Sequence, residues 1–386
     1  GRMKWGGWLW LALALCARGA AAQLPEPPPA ADLREEVQRI EVTVEDLYGR
    51  RETGRIAVTH FRPPGEGPFP LLILSHGRAT ADKRHEQGRQ RFEAQARYFS
   101  TLGFAVLVPT RLGYGETRGV FDPEYAGDCQ AMRPAAAATA ASEQVLATLA
   151  HARTLPWVDA SRWVAVGQSV GGLTTLATAS RRPPGLVAAL NFSGGHGGRP
   201  DTHPGDSCSP AALARLWREQ GGRAGDLPTL WLYWANDRYF GGPWPRRWAE
   251  AWHEGGGQAE FHELPALGTD GHGGFGADLD HWVPLAEAFL ARAGFTRSGV
   301  VPRPPATAFA ALDDAAAVPT MPAVRDGLYR RFLAAAKPRA FAVGPGGAAG
   351  FASGDWALGR ALGFCQARRG APCRLYAVDD DVVWQP

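Results

Sequence analysis

Charge is sparse in this sequence. Only 20% of its 386 residues are charged, and neither sign gathers into a long block. A chain that wraps a polyanion needs such a block or stripe, so composition argues against nucleic-acid binding. Hydrophobic residues make up 45%, a globular balance that excludes a disordered chain. No apolar run reaches the roughly 20 residues that a membrane-spanning helix requires. Cysteine is scarce too: there are five, with no C-x-x-C and no His/Cys pair at ligand spacing, which argues against a zinc site. No internal repeat is present.

What is there begins with the amino terminus. Met3 and Lys4 lead into an apolar stretch from Trp8 to Ala17, followed by Ala20-Ala21-Ala22 before Gln23. A basic start, a short apolar run and an A-x-A site predict a secretory signal over residues 1–22, and hence a periplasmic or secreted protein. Leu15 precedes Cys16 where a lipoprotein signal wants a small residue, so lipidation is discounted. Loss of this segment removes Arg2, Lys4 and Arg18 and no acid, taking the formal net charge from +3 to 0. The basic excess therefore belongs to the targeting segment. Four cysteines remain, Cys129, Cys208, Cys365 and Cys373, and in an oxidising compartment an even number favours disulfides. Three pairings are open; the simplest joins Cys365 to Cys373 and Cys129 to Cys208.

A Pro-rich leader occupies residues 23–37. From residue 38, short apolar runs alternate with helical patterns: "IEVTVEDL", "GRIAVTHFRP", "PLLILSHG", "FAVLVPTR", "RWVAVGQS", "LVAALNFSGG", "PTLWLYWAND" and "AEFHELP" read as strands. Helical patterns run from Arg91 to Leu102, from Ala135 to Arg153, through "GGLTTLATAS" and through "WVPLAEAFLARAGF". Alternation of this kind predicts an α/β fold, a mostly parallel sheet with helices on both faces. A catalytic-size domain is expected over 38–295, a linker over 296–323, and a small α+β module over 324–386 with two helical patterns, a Gly-rich stretch and a final strand. The loops 111–134 and 194–227 are expected to cap the pocket.

Gly167-Gln168-Ser169-Val170-Gly171 satisfies G-x-S-x-G between a predicted strand and a predicted helix. In that setting the serine stands on a sharp turn that only flanking glycines permit, with a helix N-terminus behind the group it attacks. A serine so placed needs an acid and a histidine after later strands, in the order Ser, Asp, His. Asp237 follows "TLWLYWAN", and His272 follows "AEFHELPALGTDG". His262, inside an alternating strand, reads as structural; His281 reads as capping or packing. Asp270 lies so near His272 that loop capping suits it better than orienting the base. The backbone N–H groups of Arg78 and Val170 are candidates for an oxyanion hole, with Gly77 allowing the first turn. His76, Gly77 and His196 are candidates to line the pocket. The Arg78 side chain is open to two roles, engaging a substrate carboxylate or hydroxyl, or pairing with a nearby acid.

"LLILSHG", "GFAVLVPTRLGYGETRG", "VAVGQSVGG", "LYWANDRYFG" and "GTDGHGGF" together resemble the dienelactone hydrolase-like branch of the α/β-hydrolase superfamily, which borders the prolyl oligopeptidase-like acyl hydrolases. The likeness covers residues 38–295. It implies Ser169 as nucleophile, His272 as base, Asp237 as acid, and the Arg78 and Val170 amides as oxyanion hole. The name-giving enzymes carry Cys where this chain has Ser169, so carboxylic-ester hydrolysis is the activity implied rather than dienelactone turnover. The carboxy-terminal "GDWALGRALGFCQARRGAPCRLYAVDDDVVW" is similar to small Cys-containing modules of exported bacterial proteins. The expected protein is thus an exported serine esterase that needs neither metal nor cofactor. Its substrate would be a small-molecule or carbohydrate-linked ester. The alternatives are a prolyl oligopeptidase-like peptidase and a non-catalytic binding protein on a hydrolase fold.

Overall fold

A computed structural model describes residues 26–79, 81–84, 86–119, 121–295, 301, 303–354, 357–369 and 372–386. The expected signal segment, with the first residues of the leader, lies outside the described residues. Eight strands form one sheet: β1 (Glu36–Glu45), β2 (Arg51–Phe61), β3 (Phe69–Ser75), β4 (Ala105–Pro109), β5 (Val158–Gln168), β6 (Leu186–Phe192), β7 (Pro228–Trp234) and β8 (Gln258–Leu264). Their order is β1-β2-β4-β3-β5-β6-β7-β8. The pairs β1/β2 and β2/β4 are antiparallel and all later pairs are parallel.

The central strands are apolar on both faces, since Leu71–Leu74, Val164–Val166 and Leu230–Trp234 are all buried. Such runs suit parallel strands covered above and below. The helices are α1 (Ala81–Arg84), α2 (Glu93–Thr101), α3 (Pro134–Ala152), α4 (Val170–Arg181), α5 (Pro210–Ala224), α6 (Trp244–Glu254), α7 (Gly274–Ala277) and α8 (Leu279–Arg292). One core holds Phe99, Val166, Phe192, Leu232 and Trp282; the other holds Ile73, Leu173, Trp217, Trp231 and Trp252.

The stretch 194–227 was expected to be a capping loop, and its second half is instead α5. Pro210 starts the helix, and Ala212, Leu213, Leu216, Trp217 and Gln220 form one buried stripe, the spacing that seats a helix against a core. Trp217 meets Trp231 and Trp248 edge-on at 5.3 Å each. The Gly-rich stretch 343–356 also carries strand structure that its composition hid. β9 (Arg339–Val343) and β10 (Ala349–Ser353) pair antiparallel, and β11 (Arg374–Val378) and β12 (Asp381–Val382) complete a second sheet in the order β10-β9-β11-β12.

This second sheet encloses its own core of Tyr329, Phe332, Phe341 and Tyr376. Val318 is buried in that core, and Thr307 N–H donates to Val382 O at 2.8 Å. Residues of the expected linker are therefore packed on the small sheet. Three short helical pieces, α9 (Pro322–Val324), a π-turn over Arg325–Tyr329 and α10 (Arg330–Ala334), lead into it. The helix α11 (Ala357–Arg369) lies against α2, where a Cβ on Gly363 would come within 2.3 Å of the Tyr98 ring. Glu287 of α8 accepts from Tyr98 O–H and stands 3.6 Å from Arg360.

Two disulfides are present, Cys129–Cys208 and Cys365–Cys373. The first joins residues 79 apart in sequence; closing so long a loop is worth about 4.5 kcal/mol of unfolded-state entropy in the chain model. Among the described residues no helix is long and apolar enough to cross a membrane.

Candidate active site

Ser169 stands between β5 and α4 with φ 57° and ψ −123°. A non-glycine residue rarely adopts such a backbone, which costs about 1–3 kcal/mol and persists only where the surroundings enforce it. The flanking glycines show the enforcement. A Cβ on Gly167 would lie 1.9 Å from Gly171 O, and one on Gly171 would lie 2.0 Å from Ser75 O. Ser169 N–H donates to Phe192 O at 2.9 Å, and Ser169 O accepts from Gly172, Leu173 and Gly195 N–H. The turn is thereby tied to β6 on one side and to α4 on the other.

The two partners expected downstream meet this serine. Ser169 O–H donates to His272 Nε2 at 3.0 Å, and His272 Nδ1–H donates to Asp237 Oδ2 at 2.9 Å. Asp237 is buried and accepts further bonds from Tyr239 N–H at 2.8 Å and Phe240 N–H at 2.9 Å. Those bonds leave its carboxylate aimed at the imidazole and hold the proton on Nδ1, so that Nε2 is free to accept. Asp270 does not face the ring. It accepts from His272 N–H at 2.9 Å and Arg238 N–H at 3.0 Å and so caps the loop.

Tyr239 stacks on the His272 ring at 3.9 Å, and Phe240 meets it edge-on at 5.4 Å. Sequence reasoning missed both. Their nearness to Asp237 in the chain was a signal; the stacking itself depends on how the β7 and β8 loops meet. Asn236 knits those loops, with its carbonyl accepting from Leu267 N–H and its amide donating to Leu267 O and Gly268 O.

Above Ser169 opens a cavity of about 410 Å³ bordered by Gly77, Gln90, Gln168, Asp201, Arg238 and His272. Gly77 closes directly on the serine: a Cβ there would lie 3.1 Å from Ser169 Cβ. Val170 is the first residue of α4, where an N–H has no intrahelical acceptor. The other two expected lining residues are elsewhere. His76 is 1% exposed and sits behind the turn, while His196 donates to Glu124 O at 2.7 Å; neither borders the cavity. The Arg78 side chain takes the second of its two roles, a bidentate pair with Asp122 at 2.7 Å to each oxygen. Burial alone would raise Asp122, but the Arg78 and Arg84 guanidiniums outweigh it and hold the carboxyl at about 2. Among the described residues no group of three or more His, Cys, Asp or Glu is placed to hold a metal.

Burial also keeps three histidines neutral. His196 is pushed down to about 4, and His60 to about 4 by burial and then by His151 and Arg62, whereas His76 falls well below its usual 6.5. The unfolded chain takes up these protons near pH 6.5 and the folded chain resists them, so stability is full above 6.5 and lost as pH falls towards 4. The loss expected is on the order of 3 kcal/mol for each of His60 and His196. Urea midpoints measured from pH 7.5 to 4.5 should decline steadily below 6.5; a flat profile would show these rings to be accessible to protons.

The sheet order and the sharp β5–α4 turn that carries Ser169 give the chain an α/β-hydrolase fold. The family model of the X-Pro dipeptidyl-peptidases (S15 family) matches residues 52–224. No curated protein matches. Among solved structures, the acylaminoacyl peptidase of Pyrococcus horikoshii is 11% identical with a TM-score of 0.43; the match covers 67% of this chain and 41% of that one. An esterase of Pyrococcus furiosus is 12% identical at a TM-score of 0.47, covering 70% of this chain and 96% of the other. A puromycin-hydrolyzing peptidase of Mycobacterium tuberculosis is 18% identical at a TM-score of 0.43, covering 71% and 41%. This chain thus spans less than half the length of the two peptidases.

Proposed function

We propose that this chain is an exported serine hydrolase that cleaves carboxylic esters through an acyl-enzyme. The observation that carries the reading is the unbroken relay Ser169–His272–Asp237 beneath an open cleft. His272 Nε2 takes the Ser169 proton as Oγ attacks the acyl carbonyl, and Asp237 stabilises the resulting imidazolium. The oxyanion forms against the Arg78 and Val170 N–H groups. The imidazolium then protonates the leaving alcohol, and water, deprotonated by the same ring, releases the acid. The cleft's glutamines, Asp201 and Arg238 suit a small, hydroxylated alcohol such as a sugar better than a long acyl chain. Export is favoured by the disulfides and by the signal-like start.

A second reading, cleavage of amino-terminal dipeptides, is favoured by the S15 match over residues 52–224. Turnover of p-nitrophenyl acetate and acetylated sugars should exceed turnover of dipeptidyl anilides by at least about 100-fold in kcat/KM, or about 2.7 kcal/mol. The reverse ranking would replace the first reading by the second.

A further inference from the structure

The reaction makes no use of the most deeply buried ion pair near the site. Arg111 follows β4, and Glu124 lies in the loop that leads to α3; both are 0% exposed. Arg111 Nε donates to Glu124 Oε2 at 2.9 Å and Nη2 donates to Oε1 at 3.2 Å. Beyond this pair, Arg111 donates three bonds to the His-Gly turn. Its backbone N–H donates to His76 Nε2 at 2.9 Å, Nη1 donates to His76 O at 2.6 Å, and Nη2 approaches Gly77 O at 3.5 Å. With Nε2 occupied as an acceptor, the His76 proton sits on Nδ1 and is donated to Gly77 O at 2.7 Å.

The Gly77 carbonyl is therefore held on the buried side of the turn from two directions. The Gly77–Arg78 peptide is trans, and in a trans peptide C=O and N–H point in opposite directions. Fixing the carbonyl inward turns the Arg78 N–H to the opposite face of the peptide, next to the Gly77 position that packs on Ser169, where a Cβ would lie 3.1 Å from Ser169 Cβ. Glu124 also ties the loop after β6, where its backbone carbonyl accepts from His196 Nε2–H at 2.7 Å, and within its own loop its carboxylate accepts from Tyr114 O–H at 3.2 Å. A buried ion pair gives little stability over apolar residues of the same volume. A guanidinium supplies what an apolar residue lacks, several donors in one rigid plane.

We propose that Arg111, oriented by Glu124, is a positioning residue for the oxyanion site, holding the Gly77–Arg78 peptide so that its N–H meets the charge formed on the substrate. The proposal rests on the reading of Arg78 N–H as an oxyanion donor. Loss of aim affects the transition state and leaves substrate binding nearly unchanged, because the oxyanion exists only in the former.

The test uses Arg111→Lys, which keeps the charge but loses the fork, and Glu124→Gln, which keeps the shape but loses the charge. Leu149→Ala, a core truncation in α3 away from the cleft, serves as the control for lost stability. For Arg111→Lys we expect kcat on p-nitrophenyl acetate to drop about 100-fold with KM within about threefold, and the labelling rate of Ser169 by a fluorophosphonate to drop in parallel. Glu124→Gln should lie between wild type and Arg111→Lys, and Leu149→Ala should lose melting temperature without losing kcat. Folded Arg111→Lys and Glu124→Gln proteins with wild-type kcat would overturn the proposal, as would the failure of both to fold, which would assign the pair a structural role alone. A wild-type protein that takes the label but turns over no ester removes the esterase reading and leaves the proposal to the labelling rates. One that takes no label removes both.

Discussion

Ser169→Ala is expected to lower ester turnover by at least about 10⁴-fold, the scale seen when the nucleophile of a serine relay is removed. The size follows from the geometry. Oγ stands 3.0 Å from His272 Nε2, and among the described residues no other side-chain hydroxyl borders the cavity near that ring except the Tyr239 phenol stacked on it. Water could still be activated by His272, but without a covalent intermediate the acyl group is not held against the oxyanion donors. The fold should survive, since the glycine contacts that impose the turn involve Gly167 and Gly171 and not the hydroxyl. The measurement is kcat on p-nitrophenyl acetate for both proteins, with melting temperature as the control and fluorophosphonate labelling as an independent count of reactive serine. Equal turnover in wild type and variant would end the esterase reading, whatever the labelling showed.

Asp237→Asn should cost about 10³- to 10⁴-fold in kcat, and Asp270→Asn less than about tenfold. The contrast separates two carboxylates that stand close to the same histidine. Asp237 faces Nδ1, so an amide in its place can present N–H instead of an acceptor and force the imidazole into the wrong tautomer. Asp270 faces only backbone N–H groups of His272 and Arg238, and an Asn carbonyl oxygen can accept the same bonds. A pH-rate profile for each variant, set beside its melting curve, checks the assignment. If Asp270→Asn were the more damaging change, the orienting acid would be Asp270 and the role of Asp237 would be to support the loop.

Much of this arrangement is legible in the chain because it is local. The strand before Ser169, the glycines around it and the helix after it are neighbours in sequence, and their steric logic needs no distant partner. The continuous apolar strands and the intervening helices likewise announce a parallel sheet through periodicity. Where periodicity was weak the reading failed. β9 and β10 flank a run of glycines and alanines with little side-chain pattern, and their pairing rests on the register between Val343 and Ala349. The helix α5 was hidden by the loop sequence before it, although its buried stripe has ordinary helical spacing.

The pocket shows the same division. Gly77 reaches the cleft because it is next to the strand end that places it. His76 and His196 were expected beside it from their positions after strands, yet both turn inward, His76 to the backbone of Arg111 and its own turn and His196 to Glu124 O. Adjacency to a strand end sets where a Cα lies; the direction of the ring is decided by which polar groups the neighbouring loop offers.

By itself, then, the sequence determined the serine turn, the order of the three relay residues, the α/β layering and the cysteines available for pairing. Each of these follows from residue type at short spacing or from a single hydrophobic period. Only the tertiary structure decided that Tyr239 covers the imidazole, that His76 and His196 turn away from the cleft, that Arg78 turns its side chain to Asp122, and that Arg111 and Glu124 meet behind the Gly77 carbonyl. Those facts depend on contacts between loops far apart in the chain, and a buried charge or ring chooses its partner only when those loops are brought together.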